Sequence, residues 1–193
     1  MGQFKTLPKV FQDRYANRPN CHDVCTVEGV LTIHTSWWMT ILSPFLRLSG
    51  ALVPYAAKDI KVIVDIKSNP ENDKLEFKRT FYYQTRKPYT FVSTWVPQGG
   101  SKVIEFMRWG LGWEMKCHFQ DNRVHLDHEA FVWKMGRLSI PFPIHLMLGT
   151  PYAYEEAVDD QNFSMYFEII HPWFGNVFGY KGDFSIIKKV SHD

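Results

Sequence analysis

The sequence has few of the features that mark a secreted protein. Its 193 residues include three cysteines, Cys21, Cys25 and Cys117, an odd number that does not suit a disulfide framework. The first ten residues also lack the apolar stretch of a secretory signal. We therefore expect three free thiols and a cytoplasmic protein.

The chain has no block of like charges. Its 22 basic and 20 acidic residues leave a formal net charge of +2, so electrostatics do not require an anionic partner. Basic and aromatic residues do interleave between positions 78 and 87, but strand alternation would divide them between two faces. We expect no nucleic-acid partner.

The sequence also lacks the motifs of known catalytic and cofactor sites. It contains no phosphate loop, nucleophile elbow or dinucleotide fingerprint, so it predicts no cofactor and identifies no catalytic residue. His118, His125, Asp127 and Glu129 would share the outer face of a hairpin, where mixed polar ladders are common. We therefore predict no metal site.

What the sequence has in excess is aromatic residues, which make up 16% of the chain. Flat rings pack well across strands, and 193 residues suffice for one domain with its own core. Alternation predicts a first strand over Val24 to Thr35, after a short helix within residues 6–17. Further predicted strands are Ile60 to Lys67, Lys74 to Gln84, Tyr89 to Val96, Lys102 to Trp109, Trp113 to Gln120, Arg123 to Met135, Asn162 to Ile170 and Val177 to Ile187. Together they predict a single, mainly β domain of the α+β class, an antiparallel barrel or deep half-barrel of about eight to nine strands.

The segment from Ser36 to about Val53 breaks this strand pattern. It is apolar, Arg47 is its single charge, and Ser36 suits the N-cap of a helix. Pro44 removes one backbone donor, which predicts a kink or two short helices. Pro44 and Arg47 also make the segment a poor membrane span, so we predict no transmembrane helix and place this helix over the mouth of a cavity.

Strand alternation carries three polar residues toward the interior. In the strand from Lys74, Arg79 shares a face with Phe77 and Phe81. A two-residue turn at Asp121-Asn122 would pair His118 with His125, Lys116 with Asp127 and Glu114 with Glu129, and would turn His128 inward. In the strand from Lys102 we predict that the inward set is Val103, Glu105, Met107 and Trp109.

Arg79, Glu105 and His128 each need a partner if they are buried, because an unpaired buried charge costs several kcal/mol. One interpretation is an internal Arg79 and Glu105 ion pair with a hydrogen-bonded core histidine. The other is that Arg79 holds an anionic group of a ligand at the bottom of an aromatic pocket.

Two motifs in the last third resemble a known family. They are Trp133-Lys134-Met135-Gly136-Arg137-Leu138 with Pro141-Phe142-Pro143, and His171-Pro172-Trp173-Phe174-Gly175 followed by Tyr180-Lys181-Gly182. Both are similar to signatures of the mostly bacterial family named domain of unknown function 4166 (DUF4166), over about residues 5–187. The resemblance implies no activity, but its members often follow a dehydrogenase-like domain, which suggests a dehydrogenase-like protein as a partner.

The leading functional hypothesis is binding of an apolar or amphipathic small molecule, such as a lipid, in an aromatic cavity. Its predicted ligand-binding residues are Arg79, Glu105, His128, Trp38 and Trp109. One alternative is an enzyme that uses His128 as acid or base in the same cavity. Another is an interaction module with a filled core, which would dock through the Trp37-Trp38 pair on a partner or a membrane surface.

Overall fold

Ten antiparallel strands close into a barrel, and an eleventh strand pairs outside it. The computed structural model describes residues 6–49, 55–136 and 138–191. The strands are β1 (Val24–Thr35), β2 (Ala57–Ser68), β3 (Leu75–Tyr82), β4 (Tyr89–Gly99), β5 (Lys102–Phe106), β6 (Leu111–Gln120), β7 (Arg123–Met135), β8 (Leu138–Pro141), β9 (Thr150–Ala157), β10 (Asn162–His171) and β11 (Gly175–Val190). The helices are α1 (Lys9–Arg14), α2 (Trp37–Ser49) and α3 (His145–Leu148), and a 3-10 turn spans Arg108–Gly110.

The sheet closes because β6 pairs with both β5 and β7, while β1 joins the first half of the chain to the last strand, β11. Closure leaves no exposed edge among these ten strands, which satisfies their backbone groups. A Cβ on Gly182 would lie 1.9 Å from the carbonyl oxygen of Val30. Only glycine therefore lets β1 and β11 pair so closely at this point.

The antiparallel order gives the barrel two distinct ends. One end, called here the α1 end, carries α1 and the turns at residues 69–74, 100–101, 121–122 and 158–161. The opposite α2 end carries α2, α3, the turn Arg108–Gly110 and the turns at residues 83–88 and 172–174. The core lies between the two ends.

Several expectations from the sequence are confirmed. The protein is mainly β, α1 and β1 lie where they are predicted, and the three cysteines are free. The predicted number of strands is too low, because Leu138–Pro141 and Thr150–Ala157 were not expected to be strands. Both segments contain a proline, which weakens the strand signal.

The apolar segment after β1 forms one helix from Trp37 to Ser49 that continues through Pro44. The Ser36 hydroxyl accepts a hydrogen bond from the Met39 N–H at 3.4 Å, as the N-cap prediction requires. The predicted continuation over residues 50–53 lies outside the described residues. Within the part of the chain that the structure describes, no helix is long and apolar enough to cross a membrane.

The hairpin of β6 and β7 has the predicted turn but not the predicted register throughout. Asp121 and Asn122 both have positive φ, and His118 pairs with His125 as expected. A bulge between Glu114 and Met115 then shifts the ladder, so Glu114 pairs with Ala130 and not with Glu129.

Candidate functional site

A small cavity lies inside the barrel and is lined by both polar and apolar side chains. Its volume is about 40 Å³, which is room for about one to three water molecules. The lining residues are Arg14, Val27, Leu31, Val62, Val64, Phe77, Arg79, Phe81, Trp95, Glu105, Leu126, Glu155, Phe163, Met165, Tyr180 and Phe184. This inner cavity can accept a polar group but not a complete lipid-sized molecule.

Arg79 and Glu105 form the first ion pair of the inner cavity. Arg79 lies on the inner face of β3 beside Phe77 and Phe81, as alternation predicts, and its Nη2 is 3.0 Å from Glu105 Oε1. Ser93 bridges the two, because its hydroxyl accepts from Arg79 at 2.7 Å and donates to Glu105 at 2.5 Å. The predicted ion pair is therefore confirmed, and the charge of Arg79 is already neutralised inside the barrel.

A second ion pair joins α1 to the barrel. Arg14 donates from Nε and Nη2 to the two carboxylate oxygens of Glu155, at 2.9 and 2.6 Å, and the Tyr15 hydroxyl donates to the same carboxylate at 2.6 Å. Burial, followed by the charge of Glu155, raises the pKa of Tyr15 well above its ordinary value. The Arg14 guanidinium also lies 4.5 Å from the ring centre of Phe163. This bidentate pair anchors α1 in the end of the barrel.

Sequence reasoning missed this second pair. Arg14 was seen only as part of a short helix, and Glu155 lies on β9, which was not predicted. The available signal was the alternation of Ala153, Glu155 and Ala157 with Tyr152 and Tyr154.

Two residues that line the inner cavity each have a buried donor atom with no hydrogen-bond partner among the described residues. These atoms are Nη1 of Arg14 and Nε1 of Trp95. Tyr180 also lines the cavity, and burial raises the pKa of its hydroxyl above the ordinary value, so it is neutral at pH 7. The cavity is therefore rich in donors but balanced in charge, with two arginines and two glutamates.

An apolar pocket of about 330 Å³ lies at the α1 end, and we call it the mouth pocket. Its lining residues are Leu7, Tyr15, Leu75, Trp95, Val103, Cys117, His118, Phe119 and Val124. Burial raises the pKa of the Cys117 thiol to about 12, so Cys117 acts here as a small apolar residue and not as a nucleophile.

Trp95 belongs to the walls of both the mouth pocket and the inner cavity. Its ring stacks on Phe77, with 4.5 Å between the ring centres. The apolar mouth pocket therefore adjoins the inner cavity, which contains two ion pairs, at a single side chain.

The structure does not bring all five predicted site residues together. Arg79 and Glu105 line the inner cavity, whereas Trp38 lies at the α2 end and donates from Nε1 to the Met147 carbonyl at 3.0 Å. Trp109 does not lie on the inner face as predicted: β5 ends at Phe106, and Trp109 is 56% exposed in the following 3-10 turn.

His128 is turned inward opposite Met115, but it lines neither the inner cavity nor the mouth pocket. Its ring lies 4.8 Å from that of Phe131, and its Nδ1 has no hydrogen-bond partner in the described ranges. Burial, and after it the charge of His145, lowers the pKa of His128 below the ordinary value.

This lowered pKa predicts a specific pH dependence. A histidine with a lowered folded-state pKa binds protons better when unfolded, so stability falls as the pH drops below about 6.5 toward the folded-state pKa. We expect His128→Gln to lose less unfolding free energy than the wild type between about pH 7.5 and 5. Urea unfolding across this range measures the difference.

The matched control for this measurement is His34→Gln, which changes an exposed histidine of β1. Its pH dependence should follow that of the wild type. Identical pH dependence of wild type and His128→Gln would show that His128 is not the group responsible.

The helix α2 closes the end of the barrel opposite the mouth pocket. Met39 and Leu46 are buried in the core, and Trp38 and Leu42 pack against it. Neither the inner cavity nor the mouth pocket is lined by a described residue of α2, so neither is the cavity that α2 was predicted to cover. Instead Leu7 and Tyr15, which lie on either side of α1, line the mouth pocket.

The outer face of β6 and β7 carries the four residues considered above as metal ligands. His118 and His125 stack with 4.8 Å between ring centres, and His118 Nδ1 lies 2.9 Å from Asp127. Glu129 instead pairs with Lys102. In the portion of the chain that is described, no group of three or more histidine, cysteine or acidic residues is placed to hold a metal ion.

Comparison with known proteins assigns the chain to a family. No curated protein and no solved structure matches the chain. The family model described as "Domain of unknown function (DUF4166)" matches residues 7–184, which include the whole barrel except the end of β11. The chain therefore belongs to the DUF4166 family.

Proposed function

We propose that the protein binds an amphipathic small molecule with an uncharged polar head and an apolar tail. The observation that carries this proposal is the junction at Trp95, where an apolar pocket of about 330 Å³ adjoins a donor-rich cavity of about 40 Å³. A pocket of this size and character is typical of a small-molecule site. The tail would occupy the mouth pocket and the head would enter the inner cavity.

The charges of the inner cavity favour a neutral head. Arg14 and Arg79 are each paired with a glutamate, so an added carboxylate would find no unpaired positive charge and would meet two negative ones. The donors Arg14 Nη1 and Trp95 Nε1 instead suit an uncharged acceptor, such as a hydroxyl, ester or amide oxygen. Head-group entry also requires the Trp95 ring to move, because it forms part of both walls.

A competition experiment tests the proposal. Nile red, an apolar fluorescent probe, should bind the folded protein saturably, and 1-decanol should displace it at lower concentration than decanoate or decylamine. A lower displacing concentration for decanoate would overturn the uncharged-head assignment. Absence of saturable Nile red binding by the folded protein would overturn the binding function itself and favour an interaction module with a filled core.

Blocking the mouth pocket should abolish most of this binding. We expect Val103→Trp, which adds a large ring to the pocket wall, to weaken Nile red binding at least about tenfold. The matched control is Val92→Trp, the same substitution on the outer face of β4, where the side chain is 39% exposed. Equal binding by the two variants, both folded by circular dichroism, would place the probe outside the mouth pocket.

The enzyme alternative has less support. It requires His128 in the same cavity as Arg79, and His128 lines neither cavity. The neutral, half-buried imidazole is accounted for by packing against Phe131.

A further inference from the structure

Exposed aromatic side chains are concentrated at the α2 end of the barrel. We define the aromatic rim as Trp37, Phe45, Trp109, Trp133, Trp173 and Phe174, all exposed and all at this end. Trp173 is 73% exposed and Trp37 is 63% exposed. Exposed aliphatic residues, among them Ile41, Leu48, Leu138 and Leu146, extend the same surface. So large an exposed apolar surface on one end of a barrel indicates an interaction site.

Part of the aromatic rim is held in place by the fold. The ring of Phe174 lies 5.5 Å from that of Trp37 and 4.9 Å from that of Trp38, so the β10–β11 turn and α2 form one surface. His171 is buried and links this turn to α3, since its Nδ1 accepts from the Trp173 N–H at 3.2 Å and its Nε2 lies 3.1 Å from the Leu146 carbonyl. The exposed rings are therefore preorganised.

The charge around the aromatic rim has a single sign. The described segments that form this end contain no Asp or Glu; they are residues 36–49, 55–56, 83–88, 107–110, 133–136, 138–149 and 171–175. Their exposed cations include Arg86, Lys87, Arg108 and Lys134. Asp59 of β2 and Glu168 of β10 lie on strands near this end and accept hydrogen bonds from Thr32 and Asn176.

The opposite end has the reverse character. Its turns carry five acidic residues, Glu71, Asp73, Asp121, Asp159 and Asp160, and one basic residue, Lys74. Although the net charge is only +2, positive and negative charges are therefore separated along the barrel axis. The basic α2 end is also the end with the exposed apolar surface.

We propose that the α2 end docks on the surface of an anionic lipid bilayer. Tryptophan and phenylalanine side chains enter the interfacial region of a bilayer, while lysine and arginine beside them attract anionic head groups. A second copy of this chain is a poorer occupant, because two α2 ends in contact would bring cations against cations without a carboxylate between them. The proposal is independent of the ligand proposed above, since the mouth pocket lies at the other end.

Vesicle flotation with the full chain tests this proposal. We expect the wild type to float with vesicles of phosphatidylcholine containing one third phosphatidylglycerol, to float poorly with phosphatidylcholine alone, and to be released by salt. The double variant Trp37→Ala/Trp173→Ala should bind the anionic vesicles at least about tenfold more weakly. Neutralising one cation with Arg108→Gln should weaken binding about fivefold.

Matched controls remove similar groups elsewhere on the surface. Val158→Ala/Ile187→Ala removes two exposed apolar side chains away from the α2 end, and Lys67→Gln removes one exposed cation of β2. Both should bind as the wild type does. Failure of the folded wild type to bind anionic vesicles at low salt would overturn the proposal, and so would equal losses in rim and control variants. A dimer that Trp37→Ala/Trp173→Ala dissociates, without vesicle binding, would assign the surface to a second copy instead.

Discussion

Replacing Glu155 by Ala is expected to lower the free energy of unfolding by about 3–5 kcal/mol. Glu155 is 2% exposed and accepts three hydrogen bonds, two from Arg14 and one from Tyr15. The substitution leaves the Arg14 guanidinium inside the barrel without a counter-charge. Urea unfolding measures the loss.

The neighbouring residue offers a matched control. Glu156 pairs with Arg123 on the outside of the barrel, where both side chains are more than one-third exposed, so Glu156→Ala should cost less than about 1 kcal/mol. Equal losses of unfolding free energy in Glu155→Ala and Glu156→Ala would show that breaking the buried Arg14 pair costs no more than breaking an exposed pair.

A double substitution separates the charge from the packing. Arg14→Met/Glu155→Leu removes both charges and keeps apolar volume, so it should recover most of the stability that Glu155→Ala loses. The same double variant should still weaken 1-decanol binding if the donors of the inner cavity hold the ligand head. Loss of stability as large as in Glu155→Ala would mean that the ion pair itself, and not the burial of one unpaired charge, stabilises the attachment of α1.

Phe163→Ala is the second change with a large expected effect, about 3–5 kcal/mol. Phe163 is fully buried, and its ring contacts those of Phe11 and Phe184, with centres 6.2 and 5.5 Å apart. Its removal would leave a cavity where α1, β10 and β11 meet, and would take away the ring beneath the Arg14 guanidinium. Thermal and urea unfolding both report the loss.

Phe163→Leu is the control, because it keeps most of the buried volume. It should cost less than about 1.5 kcal/mol. A small effect of Phe163→Ala would show that the surrounding side chains collapse into the space, and that α1 is held mainly by its ion pair.

The local sequence pattern predicted the parts of this fold that depend on the alternation of apolar and polar residues in strands and on the residue types of tight turns. Alternation identified β1 and the inner face of β3, including Arg79, because a strand that is half buried must place its apolar residues on one side. Asp121-Asn122 identified the β6–β7 hairpin, since residues that tolerate positive φ are needed there. The same pattern was less informative where strands contain proline, as in β8 and β9.

Only part of the candidate site could be predicted from the sequence, because alternation places side chains reliably only within a regular strand. Arg79 and Glu105 could be paired from sequence, because each stood among apolar residues on a predicted strand and a buried charge needs a partner. Trp109 was misplaced because alternation was continued past Phe106, where the chain leaves the sheet for a 3-10 turn. His128 faced inward as predicted, but it does not line the cavity that Arg79 lines.

The sequence by itself determined the class of this protein: a mainly β antiparallel domain with an aromatic interior into which Arg79 and Glu105 are turned. Only the tertiary structure decided that ten strands close, that α1 and not α2 lies beside the mouth pocket, and that Arg14 reaches Glu155 across 141 positions of chain. The same is true of the separation of acidic and basic turns to opposite ends. Local propensity and alternation act over a few residues, whereas closure and end-to-end placement depend on the register of every strand around the barrel.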